Sequence, residues 1–386
     1  MLPIPFLLVW VYIISSISIS FAQNISISLF HGNKIDSLMF IVVTGSYQVM
    51  ADSVIKQELR EKDTIVFHRI ENRIRVVQRN NVYAESYSDI VLRGIGQHNM
   101  YFIEPLEQGL IKRIYDDDLL LYASEDKIKI IADVTFDKYI AGVVESEVGK
   151  NAEFEFYKAQ AIICRTYAIK YIRKHLLEGA NLCDQVHCQV YKFACTQNAR
   201  IRTAVEETSG LIIVDEAGEP ISATFFSNSG GQTANSEDVW QKSVPYLRSI
   251  KDPYSIDQPH YRWEYEMPKK EWVEYLNKKG ANVSMNTKFK YTPKVRELKL
   301  PAHYGSVSIK DIRKDFTFNS TFFSFKQKGS IIHFEGKGFG HAVGLSQEGG
   351  MNMARLGYSY SQIIHFYYTD VKIIHLDMNK YFSVKE

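Results

Sequence analysis

At 386 residues, 45% apolar and 13% aromatic, the chain has material for a buried core in one large domain or two moderate ones. A formal net charge of +2 drawn from 46 basic and 44 acidic residues leaves no electrostatic footprint for nucleic acid, so any charged ligand must be held by local sites.

The first 22 residues carry no ionised side chain and run through Phe6-Leu7-Leu8-Val9-Trp10-Val11. They read as an export signal, with small residues at Ser20-Phe21-Ala22 for cleavage before Gln23, or, left uncut, as a membrane anchor. Either outcome puts the remainder outside the cytoplasm, in the periplasm or cell envelope. Residues 23–133 form a β-rich region of short alternating runs: Ile25, Ile27 and Leu29 between serines, Ile74 and Val76 between arginines, Ile128 and Ile130 between lysines. Period two predicts half-buried strands, with turns at His31-Gly32-Asn33 and Arg79-Asn80-Asn81. From residue 134 to 386 the texture changes. Asp137 can cap a helix running to about Val148, and a second helix spans about Glu153 to His175. Gly210 to Val214 and Ser330 to Phe334 predict strands, and Pro268 to Lys279 and Tyr360 to Tyr368 predict helices. The class is α+β, a β-rich chain with a central pair of helices, mixed sheets and several short helices.

On a wheel at 100° per residue, Tyr139, Ile140, Val143, Val144 and Val148 make an apolar face with Glu147 near its centre and Glu145 almost opposite. A carboxyl among valines loses hydration, which raises its pKa toward the range of a general acid; a frayed helix end or a buried ion pair would explain the same position. Lys158 and Arg165, seven residues apart on the second helix, share a face about 10 Å long. Such a pair suits a carboxylate or sugar oxygens, or is a solvated face, although Arg165 lies in an apolar run where an unpaired charge is costly. Two glycine-rich stretches, residues 227–233 and 338–350, offer Ser227, Ser229, His341 and Gln347 to a polar ligand, or are tight turns between strands. Neither fits a phosphate loop or a dinucleotide fingerprint.

Phe136 to Val148, then Lys158-Ala159-Gln160-Ala161 and Cys164-Arg165-Thr166-Tyr167-Ala168, resemble the signature of the SpoIID/LytB family. His187-Cys188-Gln189-Val190-Tyr191, Ser227 to Thr233, Glu237-Asp238-Val239-Trp240, Val244-Pro245-Tyr246-Leu247 and Gly340 to Gln347 resemble its later motifs, in family order. Val148-Gly149 stands where the family commonly has Met-Pro, and Cys164 where it has Ala. The resemblance implies a lytic transglycosylase cleaving between N-acetylmuramic acid and N-acetylglucosamine in peptide-stripped glycan, with Glu147 as acid/base, Lys158 and Arg165 in the groove, and no cofactor for the chemistry. It equally implies a LytB-like alternative, a glycan binder that stimulates a cell-wall amidase.

His175, Cys183, His187 and Cys188 supply two imidazoles and two thiols, a set suited to tetrahedral structural zinc, and some members of the family carry zinc here. The alternative is a disulfide joining Cys183 or Cys188 to Cys195, which export favours. A catalytic zinc is disfavoured because the chain has no His-Glu-x-x-His pairing.

Overall fold

The computed structural model describes residues 23–78 and 81–376; the segment read as an export signal, and Arg79 and Asn80 of the expected turn, lie outside the described residues. Ten strands come first: β1 (Asn24–Leu29), β2 (Ser37–Ala51), β3 (Val54–Leu59), β4 (Thr64–Ile70), β5 (Arg73–Gln78), β6 (Asn81–Tyr87), β7 (Asp89–Pro105), β8 (Arg113–Asp116), β9 (Asp118–Ala123) and β10 (Ile128–Thr135). Alternating burial along β1, β2 and β5 confirms the period-two reading and puts Ile25, Ile27, Leu38, Phe40 and Ile74 inside. These strands join one eleven-stranded sheet, ordered β11-β1-β10-β9-β7-β2-β4-β5-β6, with β3 paired to β2 and β8 to β7. The eleventh member, β11 (Leu182–Cys183), arrives from beyond the helices and pairs parallel to β1, Ser28 opposite Cys183.

Two central helices follow, α1 (Phe136–Val148) and α2 (Phe154–Lys170), then α3 (Ala199–Glu207). The predicted α1 is present, but Asp137 does not cap it. Thr135 occupies the cap position, and Asp137 turns inward to the Arg165 guanidinium and the Ser209 hydroxyl. Helix α2 ends five residues before the predicted His175. The backbone turns at 171–175, and Asn181 caps the Ile172 carbonyl, which swings His175 toward Cys188. After α3 come β12 (Leu211–Val214), β13 (Phe225–Phe226), α4 (Ser236–Trp240), β14 (Arg262–Pro268), α5 (Lys269–Lys278), β15 (Lys290–Tyr291), α6 (Ile309–Asp315), β16 (Phe323–Lys328), β17 (Ile331–Lys337), β18 (Leu345–Ser346), α7 (Gln347–Arg355), α8 (Tyr360–Tyr367) and β19 (Lys372–His375). The mixed strand and helix content is α+β, as expected.

One continuous apolar core runs from Ile25 in β1 through α1 and α2 to Val371, and residue 134 lies within β10, so the sheet and the helices share a strand and an interior. A second, smaller core, built on Trp272, Leu276, Phe289, Phe325, Ile332 and Phe334, lies between α5, α6 and the four-stranded sheet β14-β17-β16-β15.

Helix α1 packs against β10, α2 and α3, so its middle, from Tyr139 to Glu145, is buried all round. Its Gly142 lies against the chain that follows β11. A Cβ there would come within 2.4 Å of the Tyr191 ring and 2.6 Å of the Phe193 carbonyl oxygen. Because one of those atoms is backbone, Gly142→Ala must displace residues 191–193. The expected loss is about 1–3 kcal/mol, read as a lower urea midpoint with unchanged slope; an unaltered midpoint would mean this approach does not constrain the fold.

Candidate functional site

Glu147 occupies the last turn of α1. Its carboxyl is half-buried, and Oε1 accepts the Val190 N–H at 3.0 Å. Burial raises its pKa; the Val190 hydrogen bond and the Lys192 charge oppose that shift without cancelling it. Beside it lies the fully buried Cys164 thiol, pushed up to about 12 chiefly by burial, with the Glu147 charge adding to the shift. Gln160 Nε2 donates to that sulfur at 3.4 Å, and the Tyr139 hydroxyl donates to Gln189 Oε1 at 3.4 Å. Gln160 and Gln189 are both buried, and Gln160 Oε1 has no hydrogen-bond partner among the described residues. The wall behind Glu147 is therefore dry, amide-lined and without formal charge.

Lys158 and Arg165 do share a face of α2, but that face looks at α3. Lys158 Nζ pairs with Glu207 at 2.7 Å and Glu155 at 3.3 Å. Arg165 is completely buried, its guanidinium donating to Asp137 Oδ1 at 3.1 Å and to the carbonyls of Thr208, Val205 and Leu211 at 2.9, 3.2 and 3.3 Å. A cation so enclosed is part of the core and does not line a groove. The α2 side chain that interacts with Glu147 is Cys164, backed by Gln160, a pair that sequence reasoning missed because it sought charge there.

The two glycine-rich stretches come together, but mostly to satisfy one another. Ser229, fully buried, gives its hydroxyl to Asp252 Oδ2 at 2.7 Å, which also accepts from the Tyr367 hydroxyl at 3.1 Å. The half-buried Ser227 accepts the Glu348 N–H on its carbonyl. His341 uses both ring nitrogens: Nε2 lies 3.0 Å from the Phe225 carbonyl oxygen, and Nδ1 accepts the Val343 N–H at 3.1 Å. Burial lowers its pKa to about 4, so it is neutral, held between Phe226 and Trp240. Residues 347–350 prove to be helix α7, not loop. Ser346 caps it by accepting the Gly349 N–H, and a Cβ on Gly349 would lie 2.1 Å from the Tyr367 hydroxyl. Gln347 Nε2 is buried and has no partner among the described residues.

The wheel also misjudged Glu145. That carboxylate is more buried than Glu147, at 3% exposure, and no nitrogen or oxygen donor among the described residues reaches either oxygen. Helix α3, whose Ile201, Ala204 and Val205 recur at helical spacing, also packs on α1, so more than one side of that helix is covered. Burial first, and then the Glu145 carboxylate, push the neighbouring Cys195 thiol up to about 12.

The Cys/His cluster assembles as a ligand set. One donor atom each from His175, Cys183, His187 and Cys188 lie within 4.8 Å of one another, with Cys183 Sγ 3.3 Å from His187 Nδ1 and Cys188 Sγ 3.4 Å from His175 Nε2. A Cys188 thiolate is favoured because Cys183 donates to it. Two soft sulfurs and two imidazoles fit tetrahedral zinc. All four cysteines are free, and Cys195 is turned away, its thiol directed at the Asn198 carbonyl, so the structure does not form the alternative disulfide to Cys195.

These elements carry a family signature. The SpoIID model, described as stage II sporulation protein, matches residues 124–214, which run from the end of β9 through α1, α2, the Cys/His cluster and α3 to β12. The chain belongs to the SpoIID family. It is 30% identical over 273 residues to stage II sporulation protein D of Bacillus subtilis, covering 66% of this chain and 79% of that one, and 31% identical over 283 residues to its Bacillus amyloliquefaciens counterpart, with the same coverage. The amidase enhancer of B. subtilis is 26% identical over 287 residues, 59% of this chain and 39% of that one.

Removing the Arg165 guanidinium leaves Asp137 and three carbonyls without their partner, so Arg165→Leu should cost about 3–5 kcal/mol. Lys158→Ala, which breaks only ion pairs with the partly exposed Glu155 and Glu207, should cost under about 1 kcal/mol. Urea unfolding of both variants checks this ordering; equal losses would contradict the buried-hub geometry.

Proposed function

We propose that this chain, whose family supports a role at the bacterial cell wall, is an exported lytic transglycosylase acting on peptidoglycan glycan strands, with a preference for peptide-stripped glycan. The observation that carries the reading is a desolvated carboxyl. Burial raises the Glu147 pKa against the Val190 N–H and the Lys192 charge, and the other carboxylate at this end of α1, Glu145, is buried beside Cys195. Hydrolases usually present two carboxylates across the scissile bond. A lyase needs one, because its nucleophile is the substrate's own C6 hydroxyl.

The protonated Glu147 gives its proton to the glycosidic oxygen as the C1–O4 bond breaks. The resulting carboxylate takes the proton of the C6 hydroxyl as O6 bonds to C1, leaving a 1,6-anhydromuramyl end and regenerating the acid without consuming water. The raised pKa keeps the proton available, and the Val190 N–H holds the oxygen that remains charged between the two transfers. Zinc at His175, Cys183, His187 and Cys188 would serve structure. It would brace the segment in which Cys188 stands two residues before Val190, and so hold the amide that orients Glu147.

A second reading, glycan binding that stimulates an amidase without cutting, draws support from the similarity to the B. subtilis amidase enhancer. Digestion of amidase-treated glycan, with mass spectrometry of the ends, separates the two. Glu147→Gln should lower anhydromuramyl release by roughly 10²–10⁴-fold. Release from wild type that is no greater than from the variant would remove the enzyme reading and leave the enhancer.

Glu147 also links the chemistry to stability. Its folded pKa lies above the unfolded 4.5, so the folded state holds the proton more tightly. That contribution is fully present below the unfolded pKa and is lost as pH rises through the folded pKa. Glu147→Gln should therefore match wild type in acid and become the more stable of the two as pH rises past that window, while wild-type activity falls over the same range. Unfolding free energies of both proteins across pH check it; parallel curves would mean that the carboxyl is not desolvated.

A further inference from the structure

The side chains behind the Cys/His cluster come from two directions, and one of them is the amino-terminal sheet. His175 Nδ1 lies 2.8 Å from Glu178 Oε1. A carboxylate only accepts, so Nδ1 carries the hydrogen and Nε2 keeps its lone pair on the side facing Cys188. The other Glu178 oxygen, Oε2, lies 3.6 Å from Nδ1 of His31, which stands in the turn just after β1. The His31 ring meets the His175 ring edge-on at 4.9 Å and stacks on the His187 ring at 5.7 Å. His31, His175 and Glu178 thus form a second close group sharing one imidazole with the first.

The backbone makes the same junction. Strand β11 is only two residues long, and its parallel pairing with β1 puts Ser28 beside the cluster residue Cys183. So short a strand has little stability of its own. On one side it is held by the cluster. On the other, the buried Asp184 carboxylate accepts the Phe30 N–H at 2.7 Å, the His31 N–H at 3.1 Å and the Arg113 guanidinium at 2.7 Å.

Resting on the reading of the four-residue cluster as a zinc centre, we propose that Glu178 is its outer-sphere positioning residue, shared between the ligand His175 and His31 in the turn after β1, and that zinc thereby clamps the amino-terminal sheet to the helical core. Glu178 is half exposed, so replacing it opens no core void and a loss of affinity would not be mere unfolding. The role assigned to the amino-terminal region is mechanical: it supplies an outer wall to the metal centre, and the metal in turn holds β11 on β1.

Zinc competition against a chromophoric chelator, cobalt(II) spectra and hydrogen exchange test the clamp. Glu178→Gln should bind zinc roughly 10–100-fold more weakly while keeping the thiolate-to-cobalt charge-transfer bands and an unchanged circular dichroism spectrum. Glu216→Gln, an exposed acid on the turn after β12, should match wild type. In wild type, stripping the metal should speed amide exchange at residues 26–31 and 181–184. Affinity in Glu178→Gln within twofold of wild type, with a normal cobalt spectrum, overturns the outer-sphere assignment alone. Exchange at those amides that ignores the metal overturns the clamp. A wild-type chain showing no cobalt–thiolate absorption removes the zinc reading itself.

Discussion

One guanidinium holds the centre of this molecule. Arg165, on α2 and closed off from solvent, bonds Asp137 at the start of α1, two carbonyls at the end of α3 and its cap, and one at the start of β12. Burying a cation is costly unless it is paired and hydrogen-bonded, and both terminal nitrogens of Arg165 are, although its buried Nε has no partner among the described residues; the four elements are held in the arrangement that supplies those bonds. The direction of α1 follows from that arrangement, and Glu147 sits in its last turn, at the opposite end from Asp137. Rigidity at one end of the helix is what lets a carboxyl at the other end be aimed.

The second organising feature is the short segment from Cys183 to Lys192, which serves three partners within ten residues. Its start adds a strand to the amino-terminal sheet beside Ser28. Its middle supplies His187 and Cys188 to the ligand cluster. Its end gives the Val190 N–H to Glu147 and packs Tyr191 against Gly142. Such a segment has little regular hydrogen bonding of its own, and each attachment stabilises the other two. The chemistry proposed for Glu147 and the metal proposed for the cluster are therefore parts of one mechanical unit. That unit also explains why a Gly is needed at 142, in mid-helix, where propensity alone disfavours it.

The carboxy-terminal half contributes enclosure. Ser229, Asp252, Ser255 and Tyr367 form a buried network that ties the 227–233 stretch to α8, and Asn228 Nδ2, donating to Glu348 Oε2 at 2.7 Å, ties it to α7. His341, neutral and bonded at both nitrogens, is a hinge pin between β13 and the turn before β18. The aromatic core around Trp272 and Phe334 stands apart from the main interior and packs its own sheet and helices. Polar residues that looked like ligand contacts are largely spent on one another, because a glycine-rich backbone brought so close to its neighbours leaves carbonyls and amides that must be paired.

From its residues alone the chain declared its class, strands β1, β5 and β10 of the amino-terminal half, both central helices and the α5 and α8 segments, since periodicity and turn chemistry are local properties. It also declared the family, through motifs in order, and the four residues of the Cys/His cluster, whose donor chemistry needs no geometry to be noticed. What only tertiary structure decided is which side of a helix is dry. The wheel for α1 put Glu145 almost opposite the apolar face, yet it is buried, because α3 packs on α1 as well. It paired Lys158 with Arg165 correctly, yet could not tell that their shared face meets α3 and not the wall behind Glu147. Burial is set by what arrives from far along the chain, and a local period carries no record of that arrival.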